Sequence, residues 1–414
     1  MKLNQLTKKR ILIILFITYT VSTIIFNNFS FIARNDDKDI KNLEMSKISA
    51  AIHIVGNSGW ADFKADGNCT GSGNYTDPYV IKDLIINGEG LGSCIWIENS
   101  NVNFRIENCT AYNAGDNYPF SGIQLENVTN GQLIDNNCSS NYCGIIWGTG
   151  NNNTILGNTV NNNEEGLNLI NLYDCTVSGN TANYNNYYGI RLGDVHNSNI
   201  SGNTAYDNYE AGIYLNSCNN NNVYGNTINS NIVGILLESD DLLTCNYNNI
   251  YNNTANFNGI GIYLKGYVGE CYFNNISGNN VSNNINNGIS LYFCENNTVV
   301  GNTANANLNN GIYLIGSHNN TISRNTAKYN ENGIYLEISN FNSITGNTLT
   351  GNDKCIKEVE CEGNVFSDNG SCTYNGSSKE PSVPGYSLIF LICALSATLI
   401  VMVRIRKIVI MQDF

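Results

Sequence analysis

The sequence predicts an all-β protein, a single-stranded right-handed parallel β-helix (a solenoid) flanked by N- and C-terminal transmembrane or signal helices. Three observations predict the β-helix. A Gly-Ile-x-Leu phrase recurs about every 22 residues, a second phrase, Ile/Val-x-Gly-Asn-Thr, follows each copy, and one Asn keeps its place in nine consecutive repeats. Short strands repeated at a fixed period stack into a solenoid whose inward residues form one continuous core.

The first phrase has the pattern of a strand. Its Ile and Leu lie two residues apart with a polar or aromatic residue between them, which is strand alternation and not a helical period. Stacked at about 4.8 Å, twelve such coils would form a rod of roughly 55 Å. The twelve copies begin at Gly122, Gly189, Gly212, Gly261, Gly311 and Gly333, and in looser form at Cys94, Gly144, Gly166, Gly234, Gly288 and Cys355.

The second phrase supplies an independent check of the repeat. Three residues after its Ile or Val there is always an Asn, and this register survives two coils that are longer than the rest. Stacked Asn side chains satisfy one another's amide groups along the axis, so we expect a structural ladder at a turn. Its members are Asn158, Asn180, Asn203, Asn226, Asn253, Asn279, Asn302, Asn325 and Asn347.

Both ends of the chain have hydrophobic runs. Residues 11–33 lack charge and follow a basic segment, which predicts a signal peptide or signal anchor. Residues 386–403 form an uncharged run of 18 residues before Arg404, Arg406 and Lys407, which is long enough for a membrane span. Basic residues on the outer side of both runs place the chain ends in the cytoplasm and the segment between them outside the cell membrane.

These boundaries divide the chain into six parts. We expect a signal peptide or anchor at 1–33, a linker at 34–50, an N-terminal cap and first coil at 51–92, the β-helix at 93–377, a linker with a sorting-like motif at 378–385, and a transmembrane anchor and tail at 386–414. Between the anchors, residues 34–385 hold 33 Asp+Glu and 14 Lys+Arg. An acidic segment without a basic groove does not favour binding to nucleic acid.

Four of the 14 cysteines keep one register. Cys218, Cys245, Cys271 and Cys294 each precede a core Ile or Val by five residues on successive coils. Because the rung spacing lies within the Cα separation of a disulfide, and an outside location permits disulfides, we predict the pairs Cys218–Cys245 and Cys271–Cys294. Pairing of Cys245 with Cys271 and a ladder of reduced, packed thiols remain as alternatives.

The middle residue of each Gly-Ile-x-Leu strand points outward and forms an aromatic and polar row. Aromatic faces beside amides suit the apolar faces and hydroxyls of sugars, although Tyr also favours exposed strands for structural reasons. The carbohydrate-binding candidates in this row are Trp96, Tyr214, Tyr263, Tyr313 and Tyr335.

A catalytic site receives weaker support from the sequence. The best candidates are Arg191, Asp194 and His196 on one coil with Glu210 leading into the next, because enzymes acting on polysaccharides use clustered acids with Arg, Lys or His. Glu238 matches Lys265 one coil later and predicts a cross-rung ion pair. The sequence predicts no metal site and no cofactor, since no ligand spacing repeats.

The chain resembles the parallel-β-helix repeat family and its NosD-type periplasmic subset over about residues 51–375. The segment 71–81, followed by Leu84-Ile-Ile-Asn-Gly88, is similar to the lead-in before such helices. The resemblance implies a sugar-binding or sugar-cleaving protein, a copper-site maturation factor or a surface protein. The tail from Val383-Pro-Gly-Tyr386 onward resembles archaeal C-terminal sorting signals, which implies cleavage and lipid attachment after the Pro-Gly motif.

These observations favour a non-catalytic surface protein at the cell envelope, an adhesin or glycan-binding rod whose partners are the membrane and possible glycans. A polysaccharide lyase or hydrolase is the alternative. A copper maturation factor is a second alternative, for which three His (His53, His196 and His318) and four Met form no ligand cluster.

Overall fold

The computed structural model describes residues 47–239, 244–266, 271–370 and 374–375. In these residues the chain winds into a right-handed β-solenoid of about 12 coils, and every pairing between its strands is parallel. The predicted fold class is therefore confirmed. The hydrophobic segments predicted at 1–33 and 386–414 lie outside the described residues, and no helix within those residues has the length and apolar character to cross a bilayer.

Each coil has three sides, and the longest side is sheet 1, which has 14 strands. It contains the Gly-Ile-x-Leu phrases. Its strands are Ile52–Val55, Ile95–Ser100, Ser121–Val128, Cys143–Asn151, Glu165–Tyr173, Tyr188–Gly193, Ala211–Asn216, Val233–Glu238, Ile260–Lys265, Ile289–Tyr292, Asn310–Ile315, Asn332–Glu337, Lys354–Val359 and Tyr374–Asn375.

Sheet 2 follows sheet 1 in each coil and has 13 strands, which contain the Ile or Val of the second phrase. Its strands are Tyr79–Lys82, Phe104–Glu107, Gly131–Ile134, Thr154–Leu156, Thr176–Ser178, Asn199–Ser201, Asn222–Tyr224, Asn249–Tyr251, Asn275–Ser277, Thr298–Val300, Thr321–Ser323, Ser343–Thr345 and Val365–Ser367.

The third side is narrow and consists of short strands joined by single bridges, most of them at the Thr of the second phrase. A further two-stranded pairing, Cys271–Tyr272 with Cys294–Glu295, lies at the corner between sheets 1 and 2. The strands of the third side are Lys47–Ser49, Leu84–Asn87, Thr110–Tyr112, Thr204–Tyr206 and Thr227–Asn229.

A helix at Gly56–Ala65 closes the N-terminal end of the solenoid. Its Trp60 is fully buried and stacks on the first two strands of sheet 2, with ring centroids 5.3 Å from Tyr79 and 4.9 Å from Phe104. The helix shields the apolar end of the core from water. It is the one helix among the described residues, and the all-β prediction did not include it.

The predicted Asn ladder is present, and it continues one coil further at each end, to Asn136 and Asn369. From Asn136 to Asn347, each Nδ2 donates to Oδ1 of the next member at 2.9–3.0 Å. All of these side chains are buried. The ladder supplies partners to the amide groups at the corner between sheet 2 and the third side.

Two further Asn ladders occupy the other two corners, and the sequence reasoning missed both. One runs from Asn221 to Asn364, five residues before the predicted ladder, with Nδ2–Oδ1 distances of 3.1–3.2 Å. The other lies five residues after it, and Asn208, Asn231 and Asn258 are representative members. Each corner of the coil therefore has its own row of amides.

The Gly that opens each sheet 1 phrase leaves room for one of these ladders. A Cβ added at Gly234 would lie 2.4 Å from the carbonyl oxygen of Gly261, 2.9 Å from Nδ2 of Asn258 and 3.0 Å from Cβ of Ala255. Because contacts below 3.0 Å cannot form without displacing backbone, the stacked coils require Gly at this position.

The structure has free thiols at the four cysteines of the predicted disulfides. Cys218, Cys245, Cys271 and Cys294 are free and fully buried, and each Sγ–H is directed at a main-chain carbonyl, as from Cys294 to Leu264 at 3.4 Å. In-register residues on parallel strands point in the same direction, so their Cβ atoms keep the rung spacing of about 4.8 Å. A disulfide needs Cβ atoms about 3.8 Å apart.

Candidate functional site

The outer face of sheet 1 brings the predicted glycan-binding residues into one line, which we call the outer stripe. In-register pairing places each member directly above the previous one, as for Arg191 and Tyr214 and for Tyr313 and Tyr335. Its members are Trp96, Gln124, Ile146, Asn168, Arg191, Tyr214, Leu236, Tyr263, Ser290, Tyr313 and Tyr335.

The C-terminal part of the outer stripe is aromatic. The rings of Tyr313 and Tyr335 lie 5.1 Å apart and are tilted by 33°. The Tyr313 hydroxyl donates to Oε2 of Glu337 at 2.5 Å, and Nζ of Lys357 lies 4.3 Å from the centroid of the Tyr335 ring. Burial and the nearby Glu337 raise the pKa of Tyr335 to about 12, so the hydroxyl stays protonated and serves as a donor.

The same arrangement of Tyr and Glu recurs nearer the middle of the stripe. The Tyr214 hydroxyl donates to Oε2 of Glu238 at 2.7 Å. Glu238 also forms the predicted ion pair with Lys265 on the next coil. Burial raises the pKa of Tyr263, which lies on the same coil as Lys265, to about 12. Tyr214 itself is only 9% exposed, so this ring offers little free surface compared with the pair at the C-terminal end.

The N-terminal part of the stripe has a third aromatic contact. The ring of His53 stacks on Trp96 with centroids 4.1 Å apart, and Nε2 of His53 lies 2.8 Å from Oε1 of Glu98. The indole N–H of Trp96 is buried without a partner. His53 therefore covers one face of the Trp96 ring.

Between these aromatic parts there is a polar cluster, formed by Glu165, Asn168 and Arg191. Nδ2 of Asn168 donates to Oε2 of Glu165 at 2.6 Å, and Nη1 of Arg191 lies 3.8 Å from Oε1 of Glu165. Asn168 has no exposed surface, yet its Oδ1 has no partner, and Nε of Arg191 is likewise buried without one. Burial raises the pKa of the Glu165 carboxyl, although Arg191 and Asn168 oppose that shift.

A second carboxylate borders this cluster. The Tyr188 hydroxyl bonds to Glu210, and burial together with that bond raises the pKa of Tyr188. The Tyr188 ring stacks on Tyr214 with centroids 4.8 Å apart. The charge of Arg191 acts on both tyrosines. Two carboxyl groups, one cation and a phenol therefore lie on three neighbouring coils.

Tyr118 reaches the cluster from the loop between Thr110–Tyr112 and Ser121–Val128. Burial raises the pKa of Tyr118, and the charges of Cys143, Arg191 and Glu165 also act on its hydroxyl. Tyr118 itself is 57% exposed.

The predicted catalytic group does not converge as a unit. Arg191 belongs to the polar cluster and Glu210 borders it, but Asp194 and His196 form a separate pair at the following corner. Nε2 of His196 lies 2.8 Å from Oδ1 of Asp194, and Nδ1 accepts the main-chain N–H of Asn219 at 3.1 Å. Because both ring nitrogens are occupied, His196 has a structural role at that corner.

The sequence reasoning missed Glu165, Asn168, Tyr188 and Tyr118 as site residues. A signal for two of them was present, because Glu165 and Tyr188 occupy the position just before the Gly of successive sheet 1 phrases. Comparing the residues at that position on successive coils would have predicted that Glu165 lies next to Tyr188. Tyr118 gave no such signal, since it lies in a loop outside the repeat.

Comparison with protein-family models identifies the family to which the chain belongs. The model of the family described as "Periplasmic copper-binding protein (NosD)" matches residues 79–260 and 241–379. The chain belongs to the NosD family. The periplasmic description of the NosD family agrees with a β-helix domain that lies outside the cytoplasm. No curated protein matches the sequence.

Several solved structures have a similar fold at low sequence identity. The A-module of the Azotobacter vinelandii mannuronan C-5 epimerase AlgE6 is 15% identical, with a TM-score of 0.46 over 70% of this chain and 88% of that one. The periplasmic alginate epimerase AlgG is 14% identical, with a TM-score of 0.42 over 77% and 85%. The pre-mature bacteriophage phi29 gene product 12 is 13% identical, with a TM-score of 0.49 over 73% and 51%. Similarity at this level says nothing about activity.

The described residues do not fit the copper site that the NosD family name implies. No group of three His, Cys, Asp or Glu side chains converges among them, and all four methionines of the sequence lie outside that part of the chain. His196 and His318 both accept a main-chain N–H at Nδ1. The buried thiols are also poor ligands, because burial raises the pKa of Cys245 to about 12.

Proposed function

We propose that this NosD-family protein is a non-catalytic glycan-binding rod at the cell envelope, held at the membrane by its terminal hydrophobic segments. The observation that supports the proposal most is the pair Tyr313 and Tyr335 on the outer stripe, with Glu337 and Lys357 beside it. Partly exposed aromatic rings pack on the apolar faces of sugars, while adjacent carboxylates and ammonium groups bond to hydroxyls. Stacked coils repeat this arrangement along the rod axis, which suits a polymer lying parallel to the axis.

The test is a glycan array probed with the full-length chain in detergent, followed by titration of the glycans that bind. The double variant Tyr313→Ala/Tyr335→Ala should weaken binding by about tenfold or more, because two aromatic contacts are removed. Tyr224 and Tyr251 provide the matched control, since they form a similar stacked pair at 5.0 Å on the outer face of sheet 2. Equal losses in Tyr224→Ala/Tyr251→Ala, or no binding by the unaltered chain, would refute the proposal.

A polysaccharide-active enzyme is the second candidate function, and the polar cluster favours it. Glu165 and Glu210 lie near Arg191, and burial raises the pKa of Glu165. An enzyme that cleaves glycosidic bonds uses one protonated and one ionised carboxyl group. Every glycan that binds is therefore incubated with the protein and examined for new chain ends. Cleavage that is lost in Glu165→Gln would establish this function, and intact glycans after long incubation would exclude it for the glycans tested.

A further inference from the structure

Asn168 occupies an unusual position for an amide in this fold. Most other buried Asn residues of the solenoid belong to ladders, where their amide groups bond to neighbouring coils, although Oδ1 of Asn332 also lacks a hydrogen bond. Asn168 instead lies on the outer stripe, has no exposed surface and leaves its Oδ1 without a hydrogen bond. A buried acceptor without a partner costs free energy, so such an atom indicates a group that is absent from the protein chain itself.

Arg191 supplies the complementary atom on the next coil. It pairs in register with Asn168, and its Nε–H is also buried without a partner. Side chains on adjacent rungs are about 4.8 Å apart. One oxygen atom can bridge that separation with two hydrogen bonds of about 2.8 Å, if it donates to one neighbour and accepts from the other. Hydroxyl groups do both, whereas carboxylates only accept.

We infer that Asn168 and Arg191 form a subsite for a sugar hydroxyl, which donates to Oδ1 of Asn168 and accepts from Nε of Arg191. The subsite rests on the proposed glycan-binding function and deepens it by naming the residues and the class of sugar. Glu165 holds Asn168 in place through its bond to Nδ2 and neutralises the charge of Arg191. The charges of Arg191 and Glu165 act on the Tyr118 hydroxyl, which places Tyr118 near the subsite.

The surrounding charge selects uncharged sugars. Glu165 carries a carboxyl group beside Arg191, and the charges of Glu210 and Glu126 act on Glu165 and on the Tyr118 hydroxyl, respectively, so carboxyl groups outnumber the one guanidinium near the subsite. The carboxylate of a uronic acid would approach these groups with like charge, which costs free energy. A neutral hexose presents only hydroxyls and avoids that repulsion. The subsite therefore takes neutral glycans rather than acidic ones.

The experiment compares three probes with the full-length chain in detergent: neutral hexasaccharides of glucose and of mannose, and a uronate hexasaccharide. We expect a neutral probe to bind and the uronate to bind at least tenfold more weakly. Asn168→Ala should weaken binding of the neutral probe by about tenfold, because the bridging hydrogen bond is lost. Arg191→Lys keeps the charge but removes Nε, and it should give a similar loss.

Two controls separate this inference from a general effect on the fold. Ser201→Ala changes a partly buried polar residue on the outer face of sheet 2, away from the outer stripe, and should bind like the unaltered chain. Thermal unfolding of each variant shows that the solenoid is intact.

The possible results distinguish the subsite from the broader function. If the chain binds glycans and Tyr313→Ala/Tyr335→Ala abolishes binding while Asn168→Ala and Arg191→Lys do not, the subsite is refuted and the proposed function stands. Normal binding by Arg191→Lys together with loss in Asn168→Ala would refute the bridging geometry. Tighter binding of the uronate would refute the assignment to neutral sugars. Absence of binding by every probe and on the array would refute both proposals.

Discussion

The Asn ladder offers the sharpest test of what holds the solenoid together, and Asn253 lies near its centre. Nδ2 of Asn253 donates to the Val223 carbonyl at 2.8 Å and to Oδ1 of Asn279 at 3.0 Å. Its Oδ1 accepts from Nδ2 of Asn226 at 2.9 Å and from the main-chain N–H of Asn226 at 3.1 Å. The side chain is 1% exposed, so water cannot replace these four bonds without entering the core.

The substitution Asn253→Ala should therefore be strongly destabilising. At about 1 kcal/mol for each net hydrogen bond, losing four bonds lowers the free energy of unfolding by about 4 kcal/mol. The two donors of Asn226 that lose their acceptor raise the cost further. Proteins are stable by only about 5–15 kcal/mol in total, so the affected coils should open at much lower denaturant concentrations.

Guanidinium unfolding of the full-length chain in detergent, followed by circular dichroism, measures the loss. Hydrogen exchange then shows whether the weakening is centred on the coils around Asn253, as nearest-neighbour coupling in a solenoid requires. Asn309→Ala is the matched control, because its exposed side chain makes a single bond, to Oδ1 of Asn286 at 2.7 Å. A loss below about 1 kcal/mol in Asn253→Ala, or one no larger than in Asn309→Ala, would refute the structural role given to the ladder.

Three other predictions follow from the packing. Gly234→Ala should destabilise the chain by about 3 kcal/mol, because the added methyl group would contact the Gly261 carbonyl. Gly193→Ala is the control, since Gly193 has open space around it and the substitution should be tolerated. Comparison of the unfolding midpoints of the two variants tests the prediction. The four ladder thiols should resist alkylation in the folded chain, and all four should react once the chain is unfolded without reductant. Labelling of fewer than four thiols in the unfolded chain would favour the disulfide prediction. The raised pKa of Glu165 favours its protonated form in the folded state, so that contribution to stability is present at low pH and is lost as pH rises through the folded pKa. Glu165→Gln should therefore gain stability relative to the unaltered chain as the pH rises above about 4, and equal pH profiles of unfolding would contradict this.

The fold was predictable because the constraint that produces it is periodic. Each inward Ile or Leu must repeat at the coil period to keep one core, and the amides at each corner must repeat to find partners. The sequence therefore shows both the repeat of the core residues and the repeat of the corner amides, as in the register from Asn158 to Asn347. The helix at Gly56–Ala65 was missed because it occurs once, where the core ends, and capping segments need not follow the repeat.

The disulfide pairs stay a prediction, because register alone does not decide them. Register shows correctly which cysteines share a position, but it carries no information on the direction of their side chains. In-register positions of a parallel sheet project the same way, so Cys271 and Cys294 are neighbours at about the rung spacing. Shared register in a parallel β-helix thus favours stacked thiols, and a cross-link needs cysteines that are offset from one another.

Function in such a solenoid should lie where the register is broken. Along the outer stripe Asn168 and Arg191 each occur once. At the position just before the sheet 1 Gly, Glu165 is the one acidic residue among coils that have apolar, neutral polar or, at Lys354, basic residues. Tyr118 comes from a loop outside the repeat altogether. These exceptions contribute nothing to the ladders, and two of them leave buried polar atoms without partners. A residue that departs from the repeat and also lowers stability is retained for a purpose other than folding. This argument is the physical basis for placing the sugar subsite on these coils.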